Sequence, residues 1–265
     1  MSRRAPPPVH TAPVDVNSQL PIELDRQTAE EAASVLGADT IVLLPIGSCE
    51  PHGPHLTLGS DVPIARAWCK QTAVALRESG ARAVVMPALP YGLSHLTEGF
   101  AGRVTLQPGT LWALLEDLVC SLEQEGVRRV VFASTHLEAQ HLRVLEGVAL
   151  DHTGGTAAEA RVVVLDSSGV LPQGVLPALC HAGAEETSLL LAARAAAVKL
   201  DCARVLEPLS PDQEKIEDGY LAAGASRAYC GNPASATAEE GARLLAGLTR
   251  KTVETLSGVW PDLNP

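Results

Sequence analysis

The chain has 265 residues, enough for one large α/β domain or two small ones, and enough to bury a sizeable core. Its hydrophobic fraction of 46% and charged fraction of 19% are those of an ordinary globular protein in water. A net charge of −11, with aromatics at only 3%, argues against nucleic acid as a partner, which needs a basic footprint and stacking platforms. No apolar run reaches the length of a membrane span, and the N-terminus lacks an apolar signal core, so no membrane association is expected. The six cysteines, at 49, 69, 120, 180, 202 and 230, form no Cys-x-x-Cys pair, a usage that fits the reducing cytoplasm.

Residues 1–22 read as a Pro-rich arm around Pro6-Pro7-Pro8, and 23–265 as a single α/β domain. The spacing predicts a helix over Arg26 to Leu36, with Thr28 as N-cap and Glu31 completing a capping box. An apolar strand at 40–46 follows, then a loop, then a helix from Asp61 to Ser79 for which Asp is a favoured cap. A second strand is expected at 83–86, and Phe100 to Leu106 reads as a turn into a short strand. Thr110 is expected to cap a helix running to Glu125, with Leu111, Leu114, Leu115, Leu118 and Leu122 on one side and Gly126 ending it. Further elements are a strand at 128–133, a helix at 139–150 carrying a solvated or supporting His141, and a strand at 161–165. A helix is expected from Leu189, an irregular stretch that includes a lid at 199–235, and a closing helix at 237–256. Strand and helix alternating at this spacing imply crossover units and a mostly parallel sheet.

Two strand ends carry the chemistry. The loop Gly47 to Asp61 holds Glu50, His52, His55 and Asp61, and Glu50 and His52, two apart, leave an extended backbone on one side. His136 and Glu138 repeat that spacing after the third strand. Open α/β sheets place their sites on such loops. Glu50, His52, Asp61, His136 and Glu138 offer three carboxylates and two imidazoles with no thiolate, a set suited to Zn²⁺, Mn²⁺, Fe²⁺ or Co²⁺. Five ligands exceed what one catalytic ion takes, so two divalent ions sharing a carboxylate are expected. Such a pair holds a hydroxide between its ions and polarises a carbonyl, which is the chemistry of hydrolysis.

The sequence resembles the creatininase family of metal-dependent amidohydrolases. The matching stretches are Leu44 to Leu56, Gly59-Ser60-Asp61, Leu89-Pro90-Tyr91-Gly92, Phe100-Ala101-Gly102, His136-Leu137-Glu138, His181-Ala182-Gly183 and Glu186-Thr187-Ser188. They occur in the family's order over about residues 40 to 195. The resemblance implies a three-layer α/β/α sandwich, a homo-oligomer (commonly a hexamer), and a dinuclear site that hydrolyses the C–N bond of a small linear or cyclic amide such as a lactam or formamide. It implies Glu50 and His136 on one metal, His52 and Glu138 on the other, and Asp61 between them. It further implies His181 as the group that moves protons and Glu186 as a glutamate close behind the site. Cleavage of a short modified peptide and a non-catalytic metal-binding scaffold are the alternatives.

The chain departs from the family at several places. His136-Leu137-Glu138-Ala139 stands where many members have His-Gly-Gly-Asn, Pro177 stands where creatinine hydrolases carry a tryptophan, and Trp68, Trp112 and Trp260 read as packing residues. Creatinine itself is therefore not the expected substrate. Arg103 occupies the family's Phe-Pro-Gly-Thr turn, where a guanidinium can clamp a substrate carboxylate or equally stand as a solvated surface charge. Thr97 takes the place of a histidine common in relatives, with His95 displaced beside it as a second candidate contact to substrate.

Overall fold

A computed structural model describes residues 20–154, 159, 161–171 and 180–263, so most of the Pro-rich arm and Pro177 lie outside the described residues. At the centre is β1 (Thr40–Ile46), buried along its whole length. Its alternation explains why the run is apolar throughout. Ile41 and Leu43 enter one core, while Val42, Leu44 and Ile46 enter the other. With β2 (Arg82–Val85), β3 (Arg129–Ser134) and β4 (Val162–Asp166) it forms a sheet of order β2-β1-β3-β4, parallel at every junction.

Seven α-helices are assigned among the described residues: α1 (Ala29–Val35), α2 (Asp61–Glu78), α3 (Pro108–Gln124), α4 (Ala139–Asp151), α5 (Ala184–Arg194), the single turn α6 (Leu200–Ala203) and α7 (Ala238–Val259). On one face of the sheet α2, α5 and α7 bury Ile64, Trp68, Leu190, Leu244 and Leu248 against Ile41 and Val131. On the other, α3 and α4 bury Leu111, Leu115, Leu145 and Val148 against Val42 and Phe132. The result is the expected three-layer α/β/α sandwich. Trp68 is packed as expected and donates its indole N–H to Thr252 Oγ1 at 3.0 Å, tying α2 to α7. No helix among the described residues is long and apolar enough to cross a membrane.

The Thr28–Glu31 capping box forms. Other local expectations are corrected. Gln107, not Thr110, precedes α3, because Pro108 at the first helical position needs no N–H partner there. Leu114 on that helix is 36% exposed, so the apolar stripe is narrower than the leucine spacing suggests. Val104 and Thr105 make only isolated bridges, to Cys49 and Gly92, where a strand was expected. α5 starts at Ala184, five residues before its apolar run, because Glu185 and Glu186 in its first turn suit the positive end of the helix dipole. His141 is fully buried, its ring lodged where Gly92 has no side chain.

Candidate metal centre

β1 and β3 are neighbours in register, Ile46 beside Ser134, so the loops leaving their carboxyl ends meet. The β1 loop is held by Gly47 N–H on Leu89 O (3.0 Å) and Glu50 N–H on Leu58 O (2.9 Å). This brings Glu50 and His52 to Asp61 at the start of α2 and to His136 beyond β3. All four are buried. Asp61 opens α2, but its side chain does not cap it; Oδ2 instead accepts the Ser48 N–H at 2.8 Å. Gly47 allows this, since a Cβ there would lie 2.5 Å from Asp61 Cβ.

The two carboxylate oxygens of Asp61 face different partners. Oδ1 is 3.2 Å from His52 Nε2 and Oδ2 is 3.6 Å from His136 Nδ1. His136 Nδ1 is also 3.0 Å from Glu50 Oε1, and His52 Nε2 is 3.2 Å from Glu186 Oε1. Two groups with ligand spacing result, Glu50–Asp61–His136 and His52–Asp61–Glu186. A third, Glu50–His52–His181, overlaps them.

The remote ring nitrogens are already engaged. His52 Nδ1 meets Glu50 O at 2.8 Å, and His136 Nε2 meets Leu93 O. A carbonyl only accepts, so each of these nitrogens carries a proton, and the ring's other nitrogen would give its lone pair to an ion that displaced the proton shared with the carboxylates. Metal-ligating histidines are oriented by such outer bonds.

Glu138 also has protein partners of its own. Its Oε1 is 2.9 Å from His95 Nδ1, and its Oε2 accepts the Leu96 N–H at 3.1 Å. It lines the cleft yet belongs to none of the ligand-spaced groups among the described residues. Glu186 does belong to one. Its other oxygen accepts the N–H of Ala182 at 2.6 Å, holding that residue at φ 51°, a left-handed conformation costly for a side-chain-bearing residue. His95 reaches Glu138. Arg103 is spent on the Ser94 carbonyl (3.2 Å) and faces Glu98 (3.8 Å), and it does not line the cleft.

His181 meets Pro51 O through Nε2 at 2.8 Å, leaving Nδ1 3.8 Å from Glu50 Oε1. Tyr220 stacks on its ring at 4.7 Å and 15°. Tyr220 comes from the irregular stretch after α6, which carries no periodic signal, and sequence reasoning gave it no role beyond a lid. His141 supports His136 edge-on at 4.8 Å.

Burial pushes the Asp61 carboxyl up and the His141 imidazole well down. Burial also opposes ionisation of Glu50, Glu186 and His136, but their mutual charges prevail. The imidazoles hold Glu50 below the carboxylate range and Glu186 down at about 2, and Glu50 lifts His136 to about 10. Glu50, Asp61, Glu138 and Glu186 thus crowd one buried pocket, a charge that two divalent cations offset. Oxygen and imidazole donors without thiolate fit Zn²⁺ or Mn²⁺. The cleft above them has apolar walls from Leu96, Leu137, Leu171, Leu189 and Tyr220.

The family model for creatininase, described as creatinine amidohydrolase, matches residues 25–256. A mycofactocin precursor peptide peptidase of Mycolicibacterium smegmatis is 32% identical over 228 residues, covering 84% of this chain and 87% of that protein. A creatinine amidohydrolase of Pseudomonas putida is 30% identical over 191 residues, covering 65% and 71%. Among solved structures, a mutant creatininase of Zn–Zn type superposes with a TM-score of 0.71 at 25% identity, covering 91% of this chain and 98% of that one.

Proposed function

The chain belongs to the creatininase family, and on that premise we propose that it is a metal-dependent hydrolase that cuts an amide C–N bond of a short, modified peptide. The observation that carries the hydrolytic part is the division of Asp61, one oxygen toward each of two donor groups. The peptide part rests on the M. smegmatis relative and on the cleft. Its apolar walls suit an apolar side chain beside the bond. A small cyclic or linear amide, as the name of the family model suggests, is the second reading.

Glu50, Asp61 and His136 would hold one divalent ion, and His52, Asp61 and Glu186 the other, with Zn²⁺ or Mn²⁺ the ions that suit these donors. Bound there, the pair supplies Lewis acidity toward the carbonyl and an activated water. The chain's own groups do the rest. Leu93 and Glu50 carbonyls fix the rings of His136 and His52 with their lone pairs inward. Glu138 lines the cleft beside this arrangement, tied to His95, and Arg103 is a support of the Ser94 loop. His181, anchored through Nε2, presents Nδ1 to the cleft, where it takes a proton and returns it to the departing nitrogen. Tyr220 keeps that ring in plane and closes the wall against water.

The same reading includes a homo-oligomer in the cytoplasm; all six cysteines are free, as a reducing compartment requires. The test is mass-spectrometric screening of metal-loaded protein against short end-modified peptides, lactams, formamides and creatinine. Metal-dependent cleavage lost in Asp61→Ala supports the proposal, with the cleaved class choosing between peptide and small amide. Full metal loading with no amide cut would favour a non-catalytic scaffold.

A further inference from the structure

A second cluster of metal-ligating side chains lies on the outer helical layer, away from the cleft. Glu116 and Cys120 stand one turn apart on the same face of α3, and His152 follows the last residue of α4. One ligand atom from each lies within 4.8 Å of the others. α4 begins beside Glu138, so its 13 residues carry His152 roughly 20 Å from the centre described above.

One atom of the cluster is left over by the ion pairs around it. Glu116 Oε2 meets His152 Nε2 at 3.2 Å, but its Oε1 is buried with no hydrogen-bond partner among the described residues. His152 Nδ1 faces Glu123 Oε1 at 3.5 Å, and Glu123 is itself held by Arg161 at 3.0 Å. The Glu116 carboxylate only accepts, so Nε2 carries a proton toward it; an ion that displaced this proton would leave the Nε2 lone pair facing Glu116 and Cys120 and the other proton on Nδ1, toward Glu123. A carboxylate behind an imidazole is the outer arrangement that orients a metal-bound histidine. The side chain of His152 is only 12% exposed, while Cys120 opens to solvent and gives an ion its way in.

We propose that Glu116, Cys120 and His152 form a separate binding site for one thiophilic divalent cation of the Zn²⁺ class, with Glu123 behind the histidine. Sulfur, imidazole and carboxylate donors select this class over Mg²⁺ or Ca²⁺. Binding displaces the Cys120 thiol proton and the His152 Nε2 proton to solvent and leaves a thiolate on the ion. Because the three residues come from α3 and from the end of α4, the ion would clip these neighbours together on the face of the sheet opposite α2 and α7. The site differs from the dinuclear centre in having a sulfur donor, which gives it a separate spectroscopic signature.

The test is titration of chelator-stripped full-length protein with Co²⁺ alone, followed by absorbance in the near ultraviolet. The parent should develop a thiolate-to-cobalt charge-transfer band whose final amplitude corresponds to one thiolate-bound ion per chain, beside the ions that the dinuclear centre takes up. Asp61→Ala should retain it, because the band does not depend on the dinuclear centre. Cys120→Ser, at an exposed position, should lose it, and His152→Gln should need at least tenfold more Co²⁺ to reach it. No band in the parent, or a band unchanged in Cys120→Ser, overturns the proposal. The latter would assign the thiolate to another cysteine and leave His152 as a ring held between Glu116 and Glu123.

Discussion

Gly47→Ala tests how closely α2 must approach the β1 loop for the centre to exist. The added Cβ would sit 2.5 Å from Asp61 Cβ and 3.0 Å from the Val62 nitrogen. Non-bonded carbons rest at about 3.5–4.0 Å, so something must move by about 1 Å. Both sides are anchored, Gly47 by its N–H on Leu89 O and Asp61 by its carbonyl, which accepts from Thr135 Oγ1 at 2.9 Å. The helix start is the freer of the two, and its withdrawal takes the Asp61 carboxylate off Ser48 N–H and out of both donor groups. Metal–ligand distances tolerate only about 0.2 Å. Metal affinity should therefore fall at least as far as for loss of an outer ligand partner, about 10–100-fold. Overpacking should also cost about 1–3 kcal/mol in the metal-free protein. Competition with a chromophoric chelator reads the first, and thermal melting of stripped protein reads the second. Gly59→Ala, where a Cβ meets nothing within 4 Å, is the control. A Gly47→Ala protein that binds Zn²⁺ like the parent refutes the reasoning.

Gly241→Ala should be more damaging to stability, by about 3 kcal/mol, since its Cβ would fall 1.8 Å from Ser188 O where α7 crosses α5; denaturant melts matching the parent would contradict that close approach. His55 is fully buried with Nε2 on Thr187 Oγ1, and burial pushes it down to about 4. Its contribution is complete above the ordinary histidine value near 6.5 and is lost as pH falls toward 4, about 3 kcal/mol in all. His55→Gln should flatten that part of the melting-temperature profile, and identical slopes would refute the assignment. Tyr220→Leu should leave metal content unchanged while lowering kcat roughly tenfold or more and shifting the pH–rate profile, because it removes the stack on His181. An unchanged profile would leave Tyr220 as wall alone.

The framework was legible because a parallel sheet covered on both faces writes itself as apolar runs, and the β1 and β3 runs stand out between glycines and charged residues. The Glu50–His52 pair was legible because alternation along an extended loop puts both side chains on one side. The same argument applied to His136 and Glu138 does not bring both into one ligand-spaced group. Glu138 precedes α4, and His95 and the Leu96 amide, more than 40 positions away in the chain, set its direction. Glu186 looked equally suited to stabilising a helix start, and it does take the Ala182 amide. That its second oxygen reaches His52, 134 positions earlier, follows from packing α5 against the β1 loop, which no local spacing encodes. Tyr220 was hidden for the same reason, in a segment whose backbone is shaped by contacts such as Tyr220 N–H on Leu96 O.

The central claim is a pair of ions joined by Asp61, and elemental analysis of protein purified without chelator tests it most directly. The protein should carry Cys120→Ser so that the outer cluster contributes nothing. The account predicts about two transition-metal ions per chain, as a shared carboxylate implies, falling to one or none when Asp61→Ala is added. A single ion, unchanged by Asp61→Ala, would contradict the bridge. No bound metal after incubation with Zn²⁺ or Mn²⁺ would contradict the metal centre itself.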